Sequence, residues 1–596
     1  MILQELVRYY DRQRALKDGD IAPPGWVRRP LDYILTLRAD GECLDLQANF
    51  TLEKGKLTSG TALLPAIGKQ ALKHTNSGKD ANLLWDNASF VLGLGDLKKT
   101  KLASFVDTIN SRFAQSQDTA IQAVLAFLAR LTADNAYAAA LVERFGASED
   151  FEKRDPIIAF RLLDDGPNCV HERAAVRLAY DTSFDQPAKA MVRGQCLVTG
   201  DCDVALASNE MVIKGVWGAQ SSGANIVSFN ARAFESYGKT KRQGEYAPVG
   251  ERAAFAYTTA LNHLLGKDSR NRVQVGDAST VFWADAPSQF DSEFTLADFF
   301  GETKDDPDRG VRAVQALHQA LASGQLPAGE RSAQFFVLGL APNAARISVR
   351  FWLRAPLSEL APRILQHFAD LKVVRRFDGD PVTPSLFRLL SSVALLGKLD
   401  NVPPRLAGEW MRAILEGQPY PATLLNAAVV RCKAEQEVTT LRAAVLKAWL
   451  NRDHRRTHST APANHQHFKE ELDMQQTDVP YLLGRLFAVL ERIQQQAQPG
   501  INATIRDRYY GAASTTPVSV FTTLLRLKNA HLKKLGDGQV AFFERLIGEI
   551  MLPLTDFPRQ LALPQQAKFA LGYYHQRQAF FTRKEDPSTD QTAQET

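Results

Sequence analysis

Apolar residues recur at helical spacing through residues 1–14, and then the period changes. Ala22-Pro23-Pro24-Gly25-Trp26 breaks the helix, and Leu31-Asp32-Tyr33-Ile34-Leu35-Thr36-Leu37 reads as a strand. Asp40-Gly41 is a hairpin turn signal ahead of a return strand at 43–47. Helical, Ala-rich text fills 101–146, and short strands are predicted at 157–163 and 195–198. A strong helix spans 251–265, with Ala253, Phe255, Ala256, Leu261 and Leu264 on its apolar side. Strands follow at 279–284 and 334–340, and 346–352 alternates apolar with polar as a half-buried sheet strand does. From 356 onward the period is helical, ending in amphipathic stretches at 479–496, 517–535, 540–552 and 565–582.

This order predicts an α+β protein: mixed N-terminal and central domains with β-sheets, followed by a C-terminal α-helical bundle. The expected boundaries are an N-terminal α+β domain at 1–160, a central β-rich domain at 161–355 and a helical region at 356–451. A linker at 452–477 and a helical bundle at 478–596 complete the chain. Residues 452–467 are polar and aperiodic and contain His454, His458, His465 and His467. Without an apolar scaffold to hold those four rings, the segment is expected to be a solvated linker rather than a metal site.

The stretch at 214–257 reads as strand, polar loop, strand, basic turn and helix. Its loop, Ala219-Gln220-Ser221-Ser222-Gly223-Ala224-Asn225, offers backbone N–H groups and neutral side chains that suit a polyanion or a base edge. A second loop near 67–82 carries Lys69, Lys73, His74, Asn76, Ser77, Gly78 and Lys79 before Trp85. It has the composition of a phosphate- and base-contacting surface, and equally that of a solvated turn beside a buried Trp.

At 596 residues the chain exceeds one core, and 45% apolar with 23% charged residues is an ordinary globular composition. No run approaches the ~18 apolar residues of a membrane span, and the N-terminus lacks signal-peptide organisation, so a cytoplasmic location is expected. Five scattered cysteines point to reduced thiols; Cys196 and Cys202 lack a second ligand pair, so no zinc site is expected there. The net charge of +5 is mild, but its distribution is uneven. Residues 478–584 hold 14 Lys and Arg against 7 Asp and Glu, interleaved with aromatics such as Tyr509, Tyr510, Tyr573 and Tyr574. That combination fits a groove tracking one nucleic-acid strand, and it also fits a charged helical face around an aromatic core.

Catalytic motifs fail on inspection. Gly238-Lys239-Thr240 lacks the Gly that a phosphate-binding loop needs five residues earlier, where Ala233 stands, and its neighbours are bulky. Gly93-Leu94-Gly95 has Lys98 where a dinucleotide fingerprint needs a third Gly. No zinc-protease, nucleophile-elbow or metal-nuclease constellation stands out. A protein that binds and positions is favoured over an enzyme, with neither metal nor cofactor.

Long, unusual blocks then carry a resemblance. They include Ile21-Ala22-Pro23-Pro24-Gly25-Trp26, Leu84-Trp85-Asp86-Asn87-Ala88-Ser89, Cys196-Leu197-Val198-Thr199-Gly200 and the whole of 214–237. Tyr481-Leu482-Leu483-Gly484-Arg485-Leu486, Asn502-Ala503-Thr504-Ile505-Arg506-Asp507-Arg508-Tyr509 and Leu571-Gly572-Tyr573-Tyr574-His575-Gln576-Arg577-Gln578 extend them. The chain resembles the large subunit of the type I-C CRISPR surveillance complex (Cascade), the Csd-type family.

The resemblance implies a non-catalytic subunit of an antiviral, RNA-guided DNA-binding assembly. Its partners would be the other Cascade subunits with the guide RNA, target double-stranded DNA, and a helicase-nuclease recruited on target binding. Such a subunit reads a short protospacer-adjacent motif, promotes strand opening and holds the displaced strand, while base pairing reads the rest. On this reading Lys73, His74, Asn76, Lys79, Gln220 and Asn225 are candidates for motif recognition. Lys239, Lys241 and Arg242 would hold phosphates, and Arg506, Arg508, Lys528 and Arg577 would track a single strand. Asp80, beside Lys79, departs from the basic loop expected there. The family also makes a small helical subunit by internal translation. Here Lys469-Glu470-Glu471 has purine-rich codons able to form a ribosome-binding sequence ahead of Met474. The rival readings are a stand-alone nuclease or remodeller, and a scaffold without direct DNA contact.

Overall fold

A computed structural model describes residues 1–16, 21–53, 56–65, 81–95, 100–134, 136–178, 192–208, 210–229, 231–236, 238, 243–267, 269–286, 296–301, 312–316, 333–403, 405–458 and 465–581. The protein is α+β. It divides into two compact units, the first made of Met1–Gly215, Ala219–Gly266 and Asn343–Ile347. The second comprises Val216–Gly218, Lys267–Pro342 and Ser348–Thr596.

In the first unit, helix α1 (Ile2–Ala15) leads to β1 (Trp26–Leu31), β2 (Tyr33–Leu37), β3 (Cys43–Ala48), β4 (Phe50–Glu53) and β5 (Lys56–Pro65). The expected hairpin is β2–β3, and Gly41 at its turn adopts φ +82°. A Cβ there would lie 2.6 Å from that of Ala126, so both conformation and close approach require glycine. Strands β6 (Trp85–Asn87) and β7 (Ile157–Leu162) complete a sheet of order β3-β2-β7-β6, with β2 and β7 parallel. Helices α2 (Thr100–Phe113), α3 (Thr119–Ala133) and α4 (Tyr137–Arg144) share its core, where Phe105 and Phe127 contact Phe160 at 6.2 and 5.9 Å. A second sheet has the order β1-β5-β4. Buried Asp32 joins the strands, accepting from Ser59 Oγ (2.5 Å), Arg154 (2.9 Å) and the Ile157 N–H (2.7 Å). Two-residue strands β8 (Arg193–Gly194) and β9 (Val204–Ala205) pair further on, and α5 (Glu251–Leu264) packs on α1 through Tyr9 and His263 (2.9 Å).

The strands expected at 195–198, 214–218 and 226–230 do not form among the described residues; 195–198 and 214–229 are irregular backbone, turns, bends and isolated bridges. Several of their N–H groups go elsewhere: Cys196 to the Asp201 carbonyl (2.9 Å), Leu197 to the Pro248 carbonyl (2.9 Å), and Ile226 and Val227 to the Glu210 carboxylate.

In the second unit β10 (Arg272–Val275), β11 (Ala278–Ala284), β12 (Gln334–Asn343) and β13 (Arg346–Pro356) form a sheet in that order, with β11 buried throughout. Helices α6 (Leu357–Leu371), α7 (Leu386–Val393), α8 (Leu406–Glu416), α9 (Ala422–Ala434) and α10 (Thr440–Thr457) follow. Last come α11 (Val479–Ala497), α12 (Ile505–Ala513), α13 (Pro517–Leu532), α14 (Asp537–Met551) and α15 (Leu563–Ala579). One apolar core runs from β10 to Tyr574. Helix α10 continues through the start of the polar segment where the sequence places a linker, and Arg452 is buried within it. No helix among the described residues is long and apolar enough to cross a membrane.

Candidate nucleic-acid interface

The central loop is organised by one buried carboxylate. Glu210 accepts the N–H groups of Ile226 (2.5 Å) and Val227 (2.8 Å) and the hydroxyl of Tyr257 from α5. Burial pushes its pKa up to about 7 despite those donors. The side chains of Glu210, Val227, Phe229 and Tyr257 surround a small cavity of about 30 Å³. The loop's other anchors are a bridge between Ile213 and Ala224 and the Asn262 carboxamide. The latter accepts from the Lys214 N–H (2.8 Å) and donates to the Val212 carbonyl (3.1 Å).

Gln220 is exposed, at a turn closed by its own carbonyl and the Gly223 N–H (2.9 Å). Asn225 is half-buried and differently used. Its backbone bridges to Ala345 (3.2 Å) and Ile347 (2.8 Å), and its carboxamide nitrogen lies 3.5 Å from the Glu210 carbonyl. Gln220 therefore presents its side chain outward, whereas Asn225 braces the loop. Sequence reasoning passed over Trp217, which is 60% exposed and is an aromatic face on which a base can stack. Its signal was a Trp between two glycines, Gly215 and Gly218, both at positive φ.

Lys73, His74, Asn76 and Lys79 lie outside the described residues, as do Lys239, Lys241 and Arg242. The ends of the first of these segments are fixed. Trp85 is buried and donates its indole N–H to the Pro65 carbonyl (2.8 Å), while the Asp86 carboxylate accepts the Asn82 N–H (2.8 Å).

In the C-terminal helices the four predicted strand-tracking cations differ. Arg508 is exposed and makes no ion pair or hydrogen bond among the described residues. Lys528 is paired with Glu544 (2.8 Å) and only 12% of its side chain is exposed. Arg506 is part-buried, 3.9 Å from Glu491 and 3.8 Å from Asp507. Arg577 lies 3.5 Å from the Tyr573 hydroxyl, which donates to Glu491 (2.7 Å). Arg506 and Arg577 thus flank one buried Tyr–Glu pair. Tyr510, Tyr573 and Tyr574 are all buried in the bundle, where Tyr510 meets Tyr573 edge-on at 5.6 Å. In this conformation they fill a core and offer no stacking face.

Two groups of residues among those described place metal-ligating atoms within 4.8 Å of one another: Cys169, His171 and Glu172, and His454, His465 and His467. In the first, the Glu172 carboxylate already accepts the Cys169 N–H (2.7 Å) as a helix cap, and burial pushes the Cys169 thiol up to about 12, away from the thiolate a metal requires.

No curated protein matches the chain significantly. The family model described as CRISPR-associated protein (Cas_Csd1) matches residues 6–581, nearly the whole chain, and this protein therefore belongs to that family.

Proposed function

We propose that this chain is the non-catalytic large subunit of a type I-C Cascade. It reads the protospacer-adjacent motif on duplex DNA, promotes strand opening, holds the displaced strand and recruits the helicase-nuclease. The family match over residues 6–581 carries this reading. Protein readout of a short motif next to a guide-paired target needs a few hydrogen-bonding side chains and a phosphate clamp. The exposed Gln220, with Lys73, His74, Asn76 and Lys79, supplies the first, and Lys239, Lys241 and Arg242 supply the second. Asn225 contributes by holding that loop in shape. Arg508 has the exposure to follow a displaced strand, joined by Arg506, Lys528 and Arg577 where their present partners release them.

Met474 is the proposed internal start of a separate small subunit. It lies in the turn ahead of α11, so the product of residues 474–596 would retain α11 to α15 whole. Its Tyr574 hydroxyl bonds the Val374 carbonyl (2.7 Å) and Thr440 (3.1 Å) in the full chain, so the freed bundle would present that face to a different partner.

The deciding experiment measures binding of the assembled, guide-loaded complex to matched duplexes that differ only in the flanking motif. Affinity should depend on that flank, and the triple variant K239E/K241E/R242E should weaken binding and flatten its salt dependence. Affinity indifferent to both would leave a scaffold subunit. Cleavage of duplex by the isolated chain with Mg²⁺ and ATP would instead make it an enzyme.

A further inference from the structure

Helix α10 carries His454 in its last turn and is capped by His458, and the returning chain brings His465 and His467 to the same place. The His454 ring stacks on His467 at 4.0 Å with planes 7° apart, on His458 at 4.1 Å, and lies 5.6 Å from His465. The ligand nitrogens of His454, His465 and His467 all fall within 4.8 Å of one another. Among the described residues, none of these three rings makes a hydrogen bond.

What holds them is a polar scaffold where an apolar one is missing. Gln466, between two of the histidines, donates to the buried Asp370 carboxylate (2.7 Å) and accepts from Lys447 (3.2 Å) and Asn451 (2.5 Å). Asn451 also clasps the backbone of buried Phe468, donating to its carbonyl (3.0 Å) and accepting its N–H (2.8 Å). Arg455 bonds the His465 carbonyl (3.0 Å) and Asp370 (2.6 Å) together. The backbone from His465 to Phe468 is thereby fixed against α10, which keeps the three rings together before any ligand arrives.

We propose that His454, His465 and His467 form a binding site for a divalent first-row transition ion of the zinc type. An all-imidazole set suits Zn²⁺, Co²⁺ and Ni²⁺ and is poor for Mg²⁺ and Ca²⁺, which prefer oxygen. Zn–N bonds of about 2.0–2.1 Å in a tetrahedron bring ligand nitrogens to about 3.4 Å. Each imidazole lone pair lies in its ring plane, so binding requires the stacked His454 and His467 rings to turn out of their near-parallel planes. Water would fill the fourth position, since the His458 Nδ1 is engaged with the Thr457 hydroxyl (3.0 Å) and the His454 carbonyl (3.1 Å). A bound ion would staple 465–467 to α10, just upstream of Met474.

The test uses the full chain stripped with chelator, titrated with Zn²⁺ by calorimetry and with Co²⁺ by visible absorption. One equivalent should bind, with the intense bands of tetrahedral cobalt and a rise in melting temperature that Mg²⁺ does not give. His454→Ala, His465→Ala or His467→Ala should each weaken binding about 100-fold, at the upper end of what even outer-shell changes cost. His467→Gln, which preserves bulk and polarity, should lose the site with an unchanged circular dichroism spectrum, and His531→Ala should bind as the parent does. Absence of stoichiometric uptake, equal affinity in His467→Gln, or an octahedral cobalt spectrum would overturn the proposal.

Discussion

The hydroxyl of Tyr257 donates to the carboxylate of Glu210, 47 residues upstream, and this bond fixes the central loop to α5. Burial raises the Glu210 pKa to about 7, above the ordinary carboxylate value, so the folded state holds this proton more tightly than the unfolded chain. Stability from this group is therefore full below about pH 4.5 and declines as pH rises towards 7. With each pKa unit equal to 1.36 kcal/mol, the span is of order 3 kcal/mol. Glu210→Gln keeps an acceptor for the Ile226 and Val227 N–H groups and removes the titration. Its thermal denaturation, compared with the parent between pH 5 and 7.5, should show a flatter slope. Parallel slopes would place the proton elsewhere.

Helices α11 and α15 cross at Gly484 and Gly572. A Cβ on Gly484 would lie 2.0 Å from the Phe569 carbonyl oxygen, and one on Gly572 would lie 2.1 Å from that of Tyr481. Both obstacles are backbone and cannot rotate away. Gly484→Ala or Gly572→Ala should destabilise the protein by about 1–3 kcal/mol or more through overpacking, measured by urea denaturation. Gly548→Ala on α14 meets nothing within 4 Å and should gain up to about 1 kcal/mol from helix propensity alone. Equal effects at the three positions would mean that the crossing is looser than this geometry.

Asp370 is fully buried and accepts from Arg452 (3.3 Å), Arg455 (2.6 Å), Gln366 (2.9 Å) and Gln466 (2.7 Å). Asp370→Ala leaves the buried Arg452 without its counter-ion and should cost about 3–5 kcal/mol by denaturant titration. Arg455→Gln, which removes one of the two cations and leaves the Arg452–Asp370 pair in place, should cost less. The reverse order would show that Arg455, and not the deeper pair, carries the network.

These residues also show how much of the molecule was legible in the sequence. The β2–β3 hairpin was readable because alternation and Asp40-Gly41 are local signals, and most helices were readable from their period. Ile226-Val227-Ser228-Phe229 has strand composition but forms no strand, because Glu210 accepts its first two N–H groups from far away in sequence. The histidines near 454–467 read as a linker for a similar reason: their scaffold is Gln466 bonded to Asp370, 96 residues distant. At the C-terminus the alternation of basic and aromatic residues was real. Period alone did not reveal that Tyr510 and Tyr573 point inward while Arg508 points out.

That difference in placement yields a final prediction for strand tracking. Arg508 is exposed and unpaired among the described residues, so it contributes a full charge to a passing phosphate. Lys528 is already neutralised by Glu544. In the assembled complex, Arg508→Glu should weaken binding to a target with a long displaced strand and lower the magnitude of the log affinity against log salt slope by about one. Lys528→Gln should change that slope less, since the cation it removes was screened by its own partner. Binding of a target lacking the displaced strand should be unaffected by either change, which separates strand holding from motif reading. If Lys528→Gln proves the more damaging, the Lys528–Glu544 pair opens on binding and the track runs along α13 and α14 rather than α12.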